Sequence, residues 1–444
     1  PRVSGFTRDR LPSPITSVQS RLPMRNIAVL SDDADLNAKI ASSCNSFGDE
    51  FQAVFFHEER AFVQYLNYEL PEIDIIDFSG SKASAGRAFT EIKDDPWLHF
   101  GGSIIIYEKQ KEEDLLNRLR GVNIIAHIQK SKVELYLPRA LNVLSQHRSI
   151  LFQRDLHALL QSNISGMFVL DNDPFDVTTY SNLIANFLYN SNLINLDQKS
   201  NCSAALVELL YNAIEHGNCC IGFEEKKVWL ENGGDILDLI RQKAMKPEIL
   251  AKKIFLNYRI TPERSYFTVR DEGEGFDWGS RLAEDNPAEA LHGRGIMIAR
   301  NYLQNVHYNE KGNEVSFQIE HLHESNVIPR VFADQEEVTV QDGEVIFRQG
   351  ETSSHLYYII SGKYDIIANG RKVSTLTPAD IFLGEMSFLL NNKRSATVIA
   401  VGRGQLMKIS KQAFINAIRE HPHYGIFLAR LLAQRLDQVH EVGL

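Results

Sequence analysis

The chain has 444 residues, 43% apolar and 23% charged, with a formal net charge of −10. That length suits roughly three domains of 100–200 residues with full cores, and the acidic balance excludes a general nucleic-acid-binding surface, which would be basic. No apolar run nears the roughly 18 residues that span a bilayer and no signal-type apolar region opens the chain, so neither nucleic acid nor membrane is an expected partner.

Cys44, Cys202, Cys219 and Cys220 show no CxxC spacing, which argues against a zinc ribbon or a thioredoxin-like site. So few cysteines in so long a chain fit a cytoplasmic location.

Residues 1–23 carry Pro, Ser and Arg without an apolar period and read as a flexible tail. From Asn26 the pattern turns strand-like. Ile27–Leu30, Phe51–Phe56, Ile73–Phe78, Ser103–Tyr107 and Ile124–Ile128 are apolar runs, separated by stretches of helical character such as Ala34–Asn45 and Glu112–Arg120. Strands alternating with helices predict a parallel α/β sheet over residues 24–145. Asp32 and Asp33 end the first run and Asp77 a later one, where α/β sheets place their sites. Such carboxylates suit Mg²⁺ and a phosphoryl group accepted at Asp77.

The segment resembles a response-regulator receiver domain. It departs from that family at Tyr107-Glu108, where the family has Ser or Thr, and at Lys130, the counterpart of the family's lysine, which no Pro follows. A degenerate receiver used for docking or dimerisation is the alternative to phosphorylation at Asp77.

Residues 146–164 read as a connecting helix, followed by a mixed α/β segment to about residue 322. On a helix, Glu208, Asn212, Glu215 and His216 share one face, which alone is as consistent with a solvated surface. Val269-Arg-Asp271-Glu-Gly273-Glu-Gly275-Phe276 then sets an acid and two glycines at a strand end. Glycine lets the backbone approach a ligand closely, although a polar hairpin turn uses the same residues. His292-Gly293-Arg294-Gly295 opens a further helical stretch through Leu303, and free N–H groups at a helix start form a phosphate site.

The three motifs, in this order, resemble the N, G1 and G2 boxes of the GHKL ATPases, closest to the bacterial serine-kinase anti-sigma factors and similar modules fused to response regulators. The resemblance implies an α/β sandwich over residues 146–326. It implies that Asn212 ligates Mg²⁺ on ATP, that Glu208 acts as general base, and that Asp271 accepts from the adenine amino group. Gly273 and Gly275 would pass under the nucleotide, and Gly293, Arg294 and Gly295 would contact phosphate. His216 is equally a structural cap. His147 and His157 lack the surroundings of a phosphoacceptor histidine, which favours transfer to Ser/Thr of a partner. Residues 219–260 form an insertion, read either as a partner surface or as a surface helical pair.

From Val338 to Ile409, strand-like runs punctuated by Asp342-Gly343, Gln349-Gly350, Ser361-Gly362 and Asn369-Gly370 suggest a β-roll or barrel. Helices Lys411–Glu420 and His423–Val442 follow. In Gly384-Glu385-Met386-Ser387 … Arg394-Ser395-Ala396, a glutamate can accept from a ribose hydroxyl and an arginine can pair with a ring phosphate through its fork of donors.

The stretch resembles the phosphate-binding cassette of cyclic-nucleotide-binding domains in catabolite-activator proteins and cyclic-nucleotide-dependent kinases, over about residues 327–444. Ser395 after the arginine favours cAMP, with cGMP the alternative. The last helix leaves no room for a helix-turn-helix, so a transcription-factor role is not expected. The expected whole is a multidomain α/β and α+β signalling protein binding ATP, Mg²⁺ and cAMP. Its partner is expected to be an anti-sigma antagonist or a sigma factor, and the chain itself a homodimer. A non-catalytic scaffold switched by the two nucleotides is the rival.

Overall fold

A computed structural model of the chain describes residues 25–80, 84–95, 98, 102–108, 119, 122–147, 164–191, 193–261, 263–276, 303–321, 328–426, 428–429 and 432. The N-terminal sheet is built from strands that are apolar along most of their length. They are β1 (Arg25–Leu30), β2 (Phe51–Phe56), β3 (Ile73–Asp77), β4 (Gly102–Tyr107) and β5 (Ile124–Gln129), all parallel, in the order β2-β1-β3-β4-β5. Successive side chains leave opposite faces. Ile27, Val29, Ile75 and Ile104 therefore enter one core, and Ala28, Leu30, Ile76 and Ile105 another.

Four described helices pack here: α1 (Ala34–Asn45), α2 (Glu59–Glu69), α3 (Ser84–Asp94) and α4 (Val133–Gln146). α1 and α4 cover the first core, α2 and α3 the second. This is the flavodoxin-like doubly wound order, which places functional side chains at the carboxyl ends of the strands. Most of the helix expected at Glu112–Arg120 lies outside the described residues.

The second sheet is antiparallel. β6 (Ile164–Leu170), β7 (Ile254–Ile260), β8 (Arg264–Arg270), β9 (Gln304–Tyr308) and β10 (Glu314–Glu320) run in the order β6-β7-β8-β10-β9. Burial alternates residue by residue along β7, β8 and β10, the mark of a sheet covered on one face only. The cover is α5 (Pro174–Asn190) and α6 (Leu196–Asn212). α5 starts on Asp173 and a proline, and α6 on a reciprocal Asn195–Gln198 capping box. α6 runs on into a π-helical turn, Ala213–Asn218. Three short helices follow: α7 (Phe223–Glu231), α8 (Ile236–Ala244) and α9 (Pro247–Leu250).

Two expectations need correction. The expected connecting helix over 146–164 lies outside the described residues at 148–163, and its last residue, Ile164, is the first of β6. The insertion is shorter than 219–260, because Ile254–Ile260 is a strand of the sheet whose alternating Ile254, Leu256, Tyr258 and Ile260 are buried.

α5 lies along β5, an edge strand. Asn186 Nδ2 donates to Ile124 O at 2.9 Å, and Lys199 Nζ donates to Val122 O at 3.1 Å and Asn123 Oδ1 at 2.8 Å. Side chains thus satisfy carbonyls that an edge leaves unpaired. Arg139 of α4 adds bonds to Asp173 and Asp176.

The C-terminal unit is a roll of β11 (Glu336–Val340), β12 (Val345–Phe347), β13 (His355–Ala368), β14 (Arg371–Leu376), β15 (Phe382–Leu383) and β16 (Thr397–Ser410), with helices α10 (Glu385–Leu389) and α11 (Lys411–Glu420). Its order is β11-β16-β13-β14, with β12 on β16 and β15 on β13. Asn369-Gly370, both at positive φ, make the two-residue turn of the β13–β14 hairpin. Ser361-Gly362 does not break the strand as the punctuation suggested. β13 continues through it with register shifts, and a Cβ on Gly362 (φ +96°) would lie 2.6 Å from Gly404 Cα. Here glycine marks a close crossing, not a turn. No described helix is long and apolar enough to cross a membrane.

Candidate functional site

The central site forms where α6, its π-turn and the loop after β8 meet. Glu208 and Asn212 stand one turn apart on the last turns of α6 and are half-buried. Neither makes a hydrogen bond or ion pair within the described structure, so both are open to a ligand. The π-turn re-aims the next residues, as such turns do at functional sites. Glu215 is buried and paired with Lys226 at 2.8 Å, and His216 Nδ1 contacts Ile221 O at 2.9 Å. His216 thus closes the helix end rather than facing the same space as Asn212.

Beneath them the loop is locked by backbone. Asp271 Oδ1 accepts from Gly273 N at 2.8 Å, and burial raises its pKa against that hydrogen bond. A Cβ on Gly273 would lie 2.4 Å from Gly217 O. One on Gly275 (φ +82°) would lie 1.9 Å from Lys311 O. Both contacts are with main chain that cannot step aside, so the close approach requires glycine. Gly293, Arg294 and Gly295 lie outside the described residues, as does His157. His147 packs edge-on against Phe168 and Tyr180, and burial lowers its pKa.

Residues without an assigned role hold this site together. The buried Asn218 side chain donates to Asn172 Oδ1 (2.8 Å) and Lys253 O (3.1 Å), and accepts from Glu272 N (2.8 Å). Asn313 and Asp271 exchange main-chain and side-chain bonds, and Lys311 Nζ donates to Gly273 O at 2.9 Å. The partners of Asn218 lie 35–54 residues away, so no local pattern announces it.

At the N-terminal sheet, Asp33 caps α1 through Leu36 N and pairs with Lys130 at 2.6 Å; these bonds hold its carboxyl below the usual range. Asp77 accepts from Ser31 Oγ (3.0 Å) and Ser79 N (2.8 Å). Capping and the Lys130 pair already engage Asp33. Tyr107 is buried and offers no Ser/Thr hydroxyl.

In the C-terminal roll, Gly384 (φ +75°) starts α10, and a Cβ there would lie 2.2 Å from Arg394 Nη1. Arg394 is buried. It donates to Gly384 O (2.9 Å), Ser387 Oγ (3.0 Å) and His355 O (2.6 Å), and lies over the Phe347 ring at 4.1 Å. Burial lowers its pKa against the opposing charges of Glu351 and Glu385, leaving it charged. Burying a cation is unfavourable, and an anion that joined it would offset that cost. Glu385 is buried beside it, Met386 and Ser395 are exposed, and Ala396 is half-buried. The first-turn N–H groups of α10 lack helical acceptors. Ile381, a β-branched residue at φ +66°, precedes the cassette. Such strain costs about 1–3 kcal/mol and gathers at functional sites; a Thr377–Asp380 capping box holds the turn before it.

A family model described as a histidine kinase-like ATPase domain matches residues 170–319, and one described as a cyclic nucleotide-binding domain matches 337–421. The chain carries both domains. Both matches lie outside residues 24–145. Over 101 residues the chain is 35% identical to a cyclic AMP receptor protein of Thermus thermophilus, covering 22% of this chain and 46% of that one. Over 80 residues it is 35% identical to a cGMP-dependent protein kinase of Plasmodium berghei, covering 18% and 9%. The chain thus spans less than half the length of these relatives. A crystal structure of the Thermus thermophilus catabolite activator protein is 30% identical over 25% of this chain and 54% of that one, at a TM-score of 0.24, too low to carry an inference. An ATPase domain followed by a cyclic nucleotide-binding domain supports a role in cyclic-nucleotide-regulated signalling.

Proposed function

We propose that the chain is a cytoplasmic signalling protein in which cAMP at the C-terminal roll sets the activity of an ATP-dependent serine/threonine kinase module. Its domains are taken as 24–145, 146–326 and 327–444. The buried Arg394, held over Phe347 by three oxygens, carries the cyclic-nucleotide half of this reading. With Glu385 on the ribose hydroxyl and α10 N–H groups on the same phosphate, it recognises the ring phosphate. Gly384, Met386, Ser387, Ser395 and Ala396 shape the cassette. The cAMP receptor relative and Ser395 favour cAMP over cGMP.

Glu208 and Asn212, open and one turn apart above the Asp271–Gly275 loop, carry the ATP half. Their donor set fits a nucleotide site. Asn212 would hold the Mg²⁺ that neutralises phosphate charge, Asp271 would accept from the adenine, and Gly293, Arg294 and Gly295 would meet phosphate. Glu208 would take the proton from an attacking Ser/Thr hydroxyl of the partner, an anti-sigma antagonist or a sigma factor. Positioning and charge, more than covalent chemistry, drive such transfer.

Glu208→Ala tests this against the scaffold reading. Phosphoryl transfer to a candidate partner should fall by about 100-fold or more, the scale of a lost general base, with ATP affinity nearly unchanged. Equal transfer, or none with any wild-type pairing, would leave only the scaffold.

A further inference from the structure

His421, Pro422 and His423 carry the chain out of α11, and their two rings lie beside Asp95, the residue that follows α3. We propose that Asp95, His421 and His423 form a binding site for a divalent transition metal of the zinc class, joining the N-terminal sheet unit to the cyclic nucleotide-binding domain.

One ligand atom from each residue lies within 4.8 Å of the other two. His423 Nε2 is 2.9 Å from Asp95 Oδ2, and the two imidazole centroids are 5.7 Å apart. His423 is fully buried, and its Nδ1 has no hydrogen-bond partner among the described residues. Leaving such a nitrogen desolvated is unfavourable. The Tyr424 hydroxyl donates to Asp95 Oδ2 at 3.3 Å, as groups behind a metal ligand orient it.

Two imidazoles and a carboxylate match the nitrogen and oxygen donors that zinc takes, with a further position left for water. His421 is the more accessible of the two histidines, so that position is open to water. Metal–ligand distances of about 2.0–2.2 Å put tetrahedral ligand atoms roughly 3.3 Å apart, so closing the site asks only a small swing of the His421 ring. A simple ion pair would account for His423 and Asp95, but not for the second histidine beside them.

The test is calorimetric titration of Zn²⁺ alone into the purified full chain, with Co²⁺ absorption as a second reading. Variants are His421→Ala, which alters only the more accessible ring, and Asp95→Ala. Thermal melts of the metal-free proteins check that both variants fold. The expected result is one Zn²⁺ bound with a Kd of about 1 µM or tighter, weakened at least about 100-fold by each substitution. Because free cysteines elsewhere in the chain can also take Zn²⁺, the difference between wild type and His421→Ala isolates this site. Binding unchanged by both substitutions, or no binding tighter than about 1 mM, would overturn the proposal.

Discussion

Arg394 is buried against Phe347 and held by three oxygens, while Glu208 and Asn212 stand half-buried with no partner among the described residues. In the roll, the charged group that would meet the ligand is already desolvated and positioned. In the ATPase domain the reverse holds: the ligand-facing side chains are loose, and the rigid part is the loop beneath them, pinned by Asn218, Asn313 and Lys311. The difference teaches where binding energy goes in each. A preformed cationic pocket loses little freedom on binding, whereas the open pair must be ordered by Mg-ATP, a step through which a distant ligand can act.

The largest expected effect is at the preformed site. Arg394→Ala should weaken cAMP binding by roughly 100-fold or more, since truncating a buried charge pair costs about 2–5 kcal/mol. Arg394→Lys should recover little of it, because an ammonium lacks the planar fork. Calorimetry of both variants reads this out, and an unchanged affinity would remove the contrast between the sites.

Next is the loop under the ATP site. Asn218→Ala leaves the Glu272 N–H and two buried acceptors without partners, which should destabilise the ATPase domain by about 1–3 kcal/mol. ATP affinity should fall and cAMP affinity should not, as judged by thermal melts and titrations. Loss of both would mean that the two sites share one rigid frame.

A further effect, read against pH, is at the seam between the first two units. Burial pushes the Lys199 pKa down to about 7. Below that value both folded and unfolded chains bind the proton, and above the ordinary 10.5 neither does. Between them only the unfolded chain binds it, so stability should rise with pH from about 7 to 10.5. Lys199→Met should flatten that rise in the melting temperature measured across the window.

Much of this was legible in the sequence, for physical reasons. Asp77 and Asp271 sit at strand ends because apolar runs stop there, and Gly384 and Arg394 are close in sequence, so a local pattern reveals them. Ile254–Ile260 was readable by its period of two but was obscured by the polar helices before it. Asn218, Lys199 and the His423–Asp95 contact act across 35 to 328 residues, and only tertiary packing creates them. Ser361-Gly362 misled because a glycine required for a close strand crossing has the same signature as a turn.

The most direct test of regulation is calorimetric titration of Mg-ATP into the full chain, with and without saturating cAMP. Coupling between the sites predicts an ATP affinity shifted by about fivefold or more. Identical affinities and enthalpies in the two titrations would contradict it.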